Sequence, residues 1–281
     1  MQTRRTIMNF VLIAAVWIGL VTPAAVRAAE VNPVFDKLAS GSTAIVDHGA
    51  WDRLLKAYVV VGPDGLNRVA YAKFKAEGHA ALKGFLTALQ KVDPATLDRP
   101  EQFAFWANLY NAKTIDVVLD KYPVKSIKDI SLGGGLKTLI GGGPWQAKIM
   151  KVSGVDLTLD DVENTILRPI YRDPRVHYTV NCASVGCPNL AAEAYTGAKL
   201  EAMLEAGAKA FINSPRGVLV DGGKIQASSI YEWFQADFGG SEATVLDHLR
   251  KYASPALTEQ LNKIGRIARY DYDWKLADAK P

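Results

Sequence analysis

The segment from Arg99 to Lys121 constrains this chain more than any other. It opens Arg99-Pro100-Glu101 and ends two residues before Pro123. Proline near the start and an acid in the first turn suit a helix N-terminus. The residue before a proline is driven out of the helical region, which supplies the stop. Between these signals lie Phe103, Phe105, Trp106, Leu109, Tyr110, Ile115, Val117, Val118 and Leu119. Apolar residues fall nearly all round the helix, so it has no face to give to water and must be central and buried. Asn108 and Asn111 interrupt it one turn apart. A buried amide is costly unless hydrogen-bonded, so they either tie neighbouring loops to the helix or line a polar pocket.

The elements around it are shorter. Trp51, Leu54, Leu55 and Tyr58 share a helical face, and Ala72–Leu89 reads as a second helix. Three hairpins are marked by turn residues: Gly62-Pro63-Asp64-Gly65, Ser153-Gly154 and Asp221-Gly222-Gly223. Thr158 and Asp161 form a capping-box pattern before a helix bearing Glu163. Helices follow over 199–211, from Ser228, from Ser241 and from Pro255, then a last strand over 266–270 and the cluster Tyr272-Asp273-Trp274. Helix-rich and without repeats, this predicts one α+β domain of short, mostly antiparallel strands around a central helix. Its expected bounds are 47–276, after a poorly ordered lead at 29–46 and before a tail at 277–281. Gly133 to Pro144 lacks the spacing of a phosphate-binding loop and reads as a mobile loop or lid; no cofactor is implied. His48, His79 and His248 take surface positions by default.

Residues 1–28 differ in kind. Arg4 and Arg5 precede an apolar run from Phe10 to Val21, and Val26-Arg27-Ala28 offers small residues at a cut. That pattern predicts a cleaved export signal, a periplasmic or secreted protein, and no stable membrane insertion once it is removed. The segment contains three of the 33 basic residues and no acid, so 30 remain against 29 acidic ones, a net of +1. A near-neutral protein gives no electrostatic case for nucleic acid. The expected partner is an unknown small-molecule, peptide or envelope ligand.

Chemistry concentrates between Asp173 and Leu190, which holds the only two cysteines, Cys182 and Cys187, and His177. In an oxidising compartment the cysteines are expected to form a local disulfide. Residues 176–181 alternate like a strand, with Val176, Tyr178 and Val180 on one side and His177, Thr179 and Asn181 on the other. Continued to its end, the strand would hold Cys182 on the opposite face from His177, roughly 17 Å away. A Cys182–His177 nucleophile pair is therefore the weaker catalytic option. A metal site of His177, Cys182, Cys187 and Glu163 has no recognised spacing and meets the same obstacle. The face that converges joins Glu163 and His177, as proton-handling groups, with Asn108, Asn111 and Asn181 as ligand-binding amides. Three functions fit: a hydrolase or acyl-transfer enzyme of the cell envelope, a non-catalytic binding module, or a structural partner. A purely structural network would use the same residues.

Several segments in order resemble the family called domain of unknown function 547. They are residues 105–112 (FWANLYNA), 159–168 (LDDVENTILR), 173–178 (DPRVHY), Asn181-Cys182-Ala183-Ser184, Cys187-Pro188 and 270–274 (YDYDW). The likeness spans roughly Trp51 to Leu276. Where the family often has His after the helix Glu, this chain has Asn164. Members of that family look like secreted bacterial proteins or parts of larger eukaryotic chains, and the resemblance implies an exported bacterial member of uncharacterised activity.

Overall fold

The computed structural model describes residues 31–132 and 143–279; the stretch expected to be an export signal and most of the glycine-rich stretch lie outside them. Helix α1 (Gly49–Tyr58) leads into the hairpin β1 (Val59–Val61) and β2 (Asn67–Val69). Helices α2 (Tyr71–Glu77) and α3 (His79–Leu89) follow. The sequence reads as one helix there, but Gly78 divides it. A side-chain carbon at Gly78 would come within 2.5 Å of the Tyr58 ring. That ring stacks on Phe74 with centroids 4.3 Å apart, so the break follows from a close approach only glycine allows.

The central helix α4 runs Arg99–Lys121 as expected. The Asp98 side chain caps it by accepting from the Glu101 backbone N–H at 3.0 Å. Almost every residue from Glu101 to Leu119 is buried, and α3 packs along it. The lead at 31–46 is not loose. Phe35 packs edge-on against Trp106 of α4, and the Val46 N–H donates to the buried Glu101 carboxylate at 2.9 Å.

The second hairpin, β3 (Met150–Val152) and β4 (Val155–Leu157), turns at Ser153-Gly154. Helix α5 then has three parts: Leu159–Asp161, a π-helical stretch Val162–Leu167, and a last turn Arg168–Tyr171. Pro169 has no N–H for the carbonyl of Thr165, which instead accepts from Asn32 at 2.9 Å. One residue earlier, the Arg168 N–H reaches back five residues to the Glu163 carbonyl, the wide π pattern.

Residues 174–178 correct the sequence reading. They form a 3₁₀ turn, Pro174–Tyr178, not a strand. Asp173 caps the turn through the Arg175 N–H at 2.9 Å, and Pro174 suits its first position. Beyond it come α6 (Leu200–Ile212), β5 (Val218–Asp221), β6 (Lys224–Ser228) and the short α7 (Ile230–Trp233). A 3₁₀ turn, Gln235–Phe238, precedes α8 (Glu242–Tyr252), α9 (Pro255–Ile264) and β7 (Ile267–Asp271). Strand β6 pairs antiparallel with β5 and parallel with β7. After β7 the chain straps back: Val185 N–H donates to Lys275, and Ala279 N–H to Val69 in β2. Residues past Leu276 are thus paired with the domain.

The architecture is α+β. One apolar cluster surrounds α4; a second lies among α6, the β5–β7 sheet, α8 and α9. No helix among the described residues is long and apolar enough to cross a membrane.

Candidate functional site

Where the two apolar clusters meet there is a cavity of about 180 Å³. Its floor is polar, supplied by Asp160, Glu163 and Asn164 from α5 and by His177. Its walls are the Cys182–Cys187 disulfide and aromatic rings from α7 and the chain after β7. The capping box of α5 forms as read: Thr158 Oγ1 accepts from the Asp161 N–H, and the Asp161 carboxylate from the Thr158 N–H, both at 2.9 Å. From that start Leu159, Val162, Ile166 and Leu167 enter the core, while Asp160, Glu163 and Asn164 reach the cavity. A π stretch in a helix is frequent at functional sites.

Glu163 and His177 come together. His177 is buried, and its Nε2 lies 2.8 Å from the Asp237 carboxylate. Its ring stacks on Phe234 with centroids 4.3 Å apart. Asp237 also accepts from Arg168 Nε at 2.5 Å. Burial alone would raise its carboxyl, but the hydrogen bonds from His177 and Arg168 outweigh that and hold it at about 2. An ionised acceptor at Nε2 assigns the ring proton to Nε2, leaving Nδ1 with its lone pair. Burial lowers the imidazole below its ordinary value despite Asp237, so the ring is neutral near pH 7. Nδ1 faces Glu163 Oε1 at 4.0 Å.

The other Glu163 oxygen accepts from the Tyr110 hydroxyl of α4 at 3.2 Å. Burial pushes Glu163 up to about 7; Arg168 and Tyr110 oppose this, and the charges of Asp160 and Asp237 add to it. Asp160 is raised too, first by burial and then by Asp161. Two carboxyls near one imidazole are thus driven far apart, one held charged and one poised near neutrality. That separation sorts acid from base in a proton-transfer site.

The disulfide expected between Cys182 and Cys187 is present. The Tyr272 hydroxyl lies 3.0 Å from one sulfur and 3.1 Å from the other. Arg216 holds the loop by donating to the carbonyls of Cys187 and Val185 and, at 2.9 Å, to the Asn189 side chain. A side-chain carbon at Gly186 would fall 2.8 Å from the Asp273 nitrogen, so the loop and the Tyr272–Trp274 segment pack backbone to backbone. Because 174–178 is a turn, the argument from strand faces fails: Cys182 and His177 line the same cavity. The sulfurs are bonded to each other, which removes the nucleophile and the thiolate ligands alike.

The three asparagines lie outside this lining. Asn108 donates to the Tyr195 carbonyl at 2.8 Å and accepts from its N–H at 3.0 Å. Asn111 donates to the Thr179 carbonyl and accepts from the Asn181 N–H, both at 2.8 Å. Asn181 donates to the Pro188 carbonyl and accepts from the Ala183 N–H. All three spend their amides on backbone and shape the site from behind, where the sequence had them as ligand-binding amides.

Asp237 is the residue the sequence reading missed. It sits 60 positions from His177, in a 3₁₀ turn with no motif to pair them. Trp145, Trp233 and Trp274 also reach the cavity; only the aromatic clustering of 231–234 and 272–274 marked the last two. The other histidines are not surface groups. His48 is buried and lowered to about 4 by desolvation, against Glu101 and Asp47. His248 bonds the Tyr178 hydroxyl at 2.9 Å, and His79 lies 2.8 Å from Asp116. His79, Asp116 and Asp120 are close enough to share a cation, but Lys83 and Lys113 already supply ammonium groups within 3.0 Å.

No curated protein and no solved structure matches the chain. A family model described as "Protein of unknown function, DUF547" matches residues 94–212. That span takes in α4, α5, the 3₁₀ turn with His177, the cysteine loop and α6; Asp237, Trp233 and the 270–274 segment lie beyond it. The chain is thus similar to the DUF547 family over residues 94–212, and this segment carries Glu163, His177 and both cysteines of the cavity.

Proposed function

We propose that this protein is a hydrolase of the cell envelope that uses Glu163 and His177 as its proton-handling groups. One observation carries the reading: Asp237, His177 and Glu163 form a line whose free imidazole nitrogen and near-neutral carboxyl open on one cavity. The neutral Nδ1 draws a proton from a water as its oxygen attacks the scissile carbon. Asp237 stabilises the imidazolium that results. The Glu163 carboxyl, half protonated near pH 7, gives its proton to the leaving group; proton exchange with water restores both residues. Acyl transfer through Cys182 is the weaker form, since its sulfur is bonded to Cys187. The export pattern of residues 1–28 and the disulfide support an envelope location.

A non-catalytic binding module is favoured by one separate observation, the aromatic share of the cavity wall. The two are told apart with a panel of chromogenic ester, amide and glycoside substrates. Hydrolysis is expected from the wild type and is lost in Glu163→Gln and Asp237→Asn proteins that keep their circular dichroism. Turnover unchanged in folded Glu163→Gln protein overturns the catalytic reading.

A further inference from the structure

The cavity combines two kinds of surface that rarely meet without a purpose. Trp233, Tyr272 and Trp274 form a cluster with ring centroids 4.7 to 5.8 Å apart. Trp233 is 48 % exposed, a large ring left open to water beside the cavity. The same cavity is lined by Asp160 and Glu163. Among the described residues, no Lys or Arg lines the cavity. Arg168, whose charge acts on Glu163, is engaged elsewhere: it donates to Asp237 and to Asn164, and its guanidinium lies 4.6 Å from the Phe234 ring centre.

We propose that this cavity recognises a cation with an apolar shell, a quaternary ammonium group held by the rings of Trp233, Tyr272 and Trp274 and the carboxylates of Asp160 and Glu163. The proposal rests on reading this cavity as the functional site and names the class of group it receives. The negative face of an aromatic ring attracts a desolvated cation, and tryptophan does so best. Trp274 already takes one on its face: the Lys128 ammonium lies 5.0 Å from the ring centre. An anionic ligand would meet two carboxyls and no positive side chain among the described lining residues. At about 180 Å³ the cavity is below the size that encloses a whole drug-sized ligand, so it takes a head group whose remainder lies outside. The raised carboxyls agree with this, because burial without a counter-charge is what a bound cation relieves.

The test uses choline chloride as probe, with 3,3-dimethylbutan-1-ol as its neutral twin and glucose as a hydroxyl-rich control. Binding to the full chain is read by tryptophan fluorescence and by calorimetry. Choline is expected to bind at least about tenfold more tightly than the neutral alcohol, and glucose not at all. Glu163→Gln weakens choline several-fold and leaves the alcohol unchanged; Trp274→Leu weakens both. Choline has a fixed charge, so any pH dependence belongs to the protein. The groups facing Glu163 are Tyr110 from α4, Asp160 and Arg168 from α5, His177 and Asp237. Choline affinity rises from pH 6 to pH 8 as Glu163 ionises. Equal affinity for the alcohol, preference for glucose, or no choline binding by folded wild-type protein overturns the proposal. Choline binding without turnover of any substrate retains the cation site and removes the hydrolase. Glu163-dependent turnover that choline does not inhibit does the reverse.

Discussion

This molecule builds two histidine–carboxylate clusters from similar parts and treats them oppositely. In the first, on α3 and α4, His79 meets Asp116 at 2.8 Å and Asp120 at 3.7 Å. Lys83 lies 3.0 Å from both acids, and Lys113 2.9 Å from Asp116. Burial would raise Asp116, but the lysines and His79 outweigh it, and the carboxyl stays below its ordinary value. In the second, His177 and Arg168 are spent on Asp237, and among the described residues no Lys or Arg lies within ion-pair distance of Glu163. Its carboxyl rises to about 7. The difference is counter-charge rather than burial alone. A cluster whose charges cancel is finished as structure, whereas one left a charge short beside a cavity is built to receive something.

The largest effect that would break this comparison is catalytic. Removing the proton of Glu163 while keeping its shape, in Glu163→Gln, is expected to lower turnover by about 10²-fold or more. Asp116→Asn should leave turnover and choline binding unchanged. If the two variants lose activity equally, the clusters do not differ in function, and both losses trace to folding.

Stability should move the other way at Glu163. Its folded pKa of about 7 lies above the ordinary 4.5. Between these values the unfolded chain has lost the proton and the native protein has kept it, so stability falls as pH rises through this window. Above pH 7 the cost is constant, on the order of 3 kcal/mol. Glu163→Gln removes it. The variant should therefore melt no higher than wild type at pH 4.5 and clearly higher at pH 8, measured by calorimetry at both. Identical melting at pH 8 would mean the carboxylate is not strained.

How much of this was legible in sequence follows from the range of each interaction. The span of α4, all three hairpin turns and the Thr158 capping box obey rules acting within a few residues and appear as read, though the return strand of the first hairpin is Asn67–Val69 rather than Val69–Tyr71. The 3₁₀ turn at 174–178 shows two local signals in conflict. Val176, Tyr178 and Val180 alternate like a strand, but Asp173-Pro174 sets a capped turn, and the Thr179 hydroxyl closes it on the Val176 carbonyl. The side-chain hydrogen bonds prevailed, and Cys182 and His177 came to one cavity. Glu163 and His177 were legible as chemistry because their residue types stand out in apolar surroundings. Asp237 was not, since its role is defined by His177 and Arg168, 60 and 69 positions away. The asparagines misled because a buried amide looks the same in sequence whether it holds backbone or ligand.

The lysine-neutralised cluster offers a smaller effect. Asp116→Asn leaves Lys113, 14 % exposed, without its carboxylate, and weakens the pairing of Lys83. A loss of about 2–3 kcal/mol is expected, since breaking a largely buried pair strands the remaining charge. It should appear in urea titration at neutral pH. Asp120→Asn, half exposed, should cost under about 1 kcal/mol.

The smallest effect concerns the wall between the floor and the rings. Cys182 and Cys187 are only five positions apart, so their bond restrains the unfolded chain little, and reduction should cost under about 2 kcal/mol. The loop has other restraints: Arg216 on its carbonyls, and pairing of Val185 and Gly186 with the strap at Lys275 and Asp273. Cys182→Ser/Cys187→Ser protein should therefore melt within a few degrees of wild type and bind choline about as well. Binding lost from a double variant that stays folded would show that the disulfide itself sets the spacing between Tyr272 and Glu163. The aromatic wall would then count as part of the charged floor rather than as a separate, self-supporting surface.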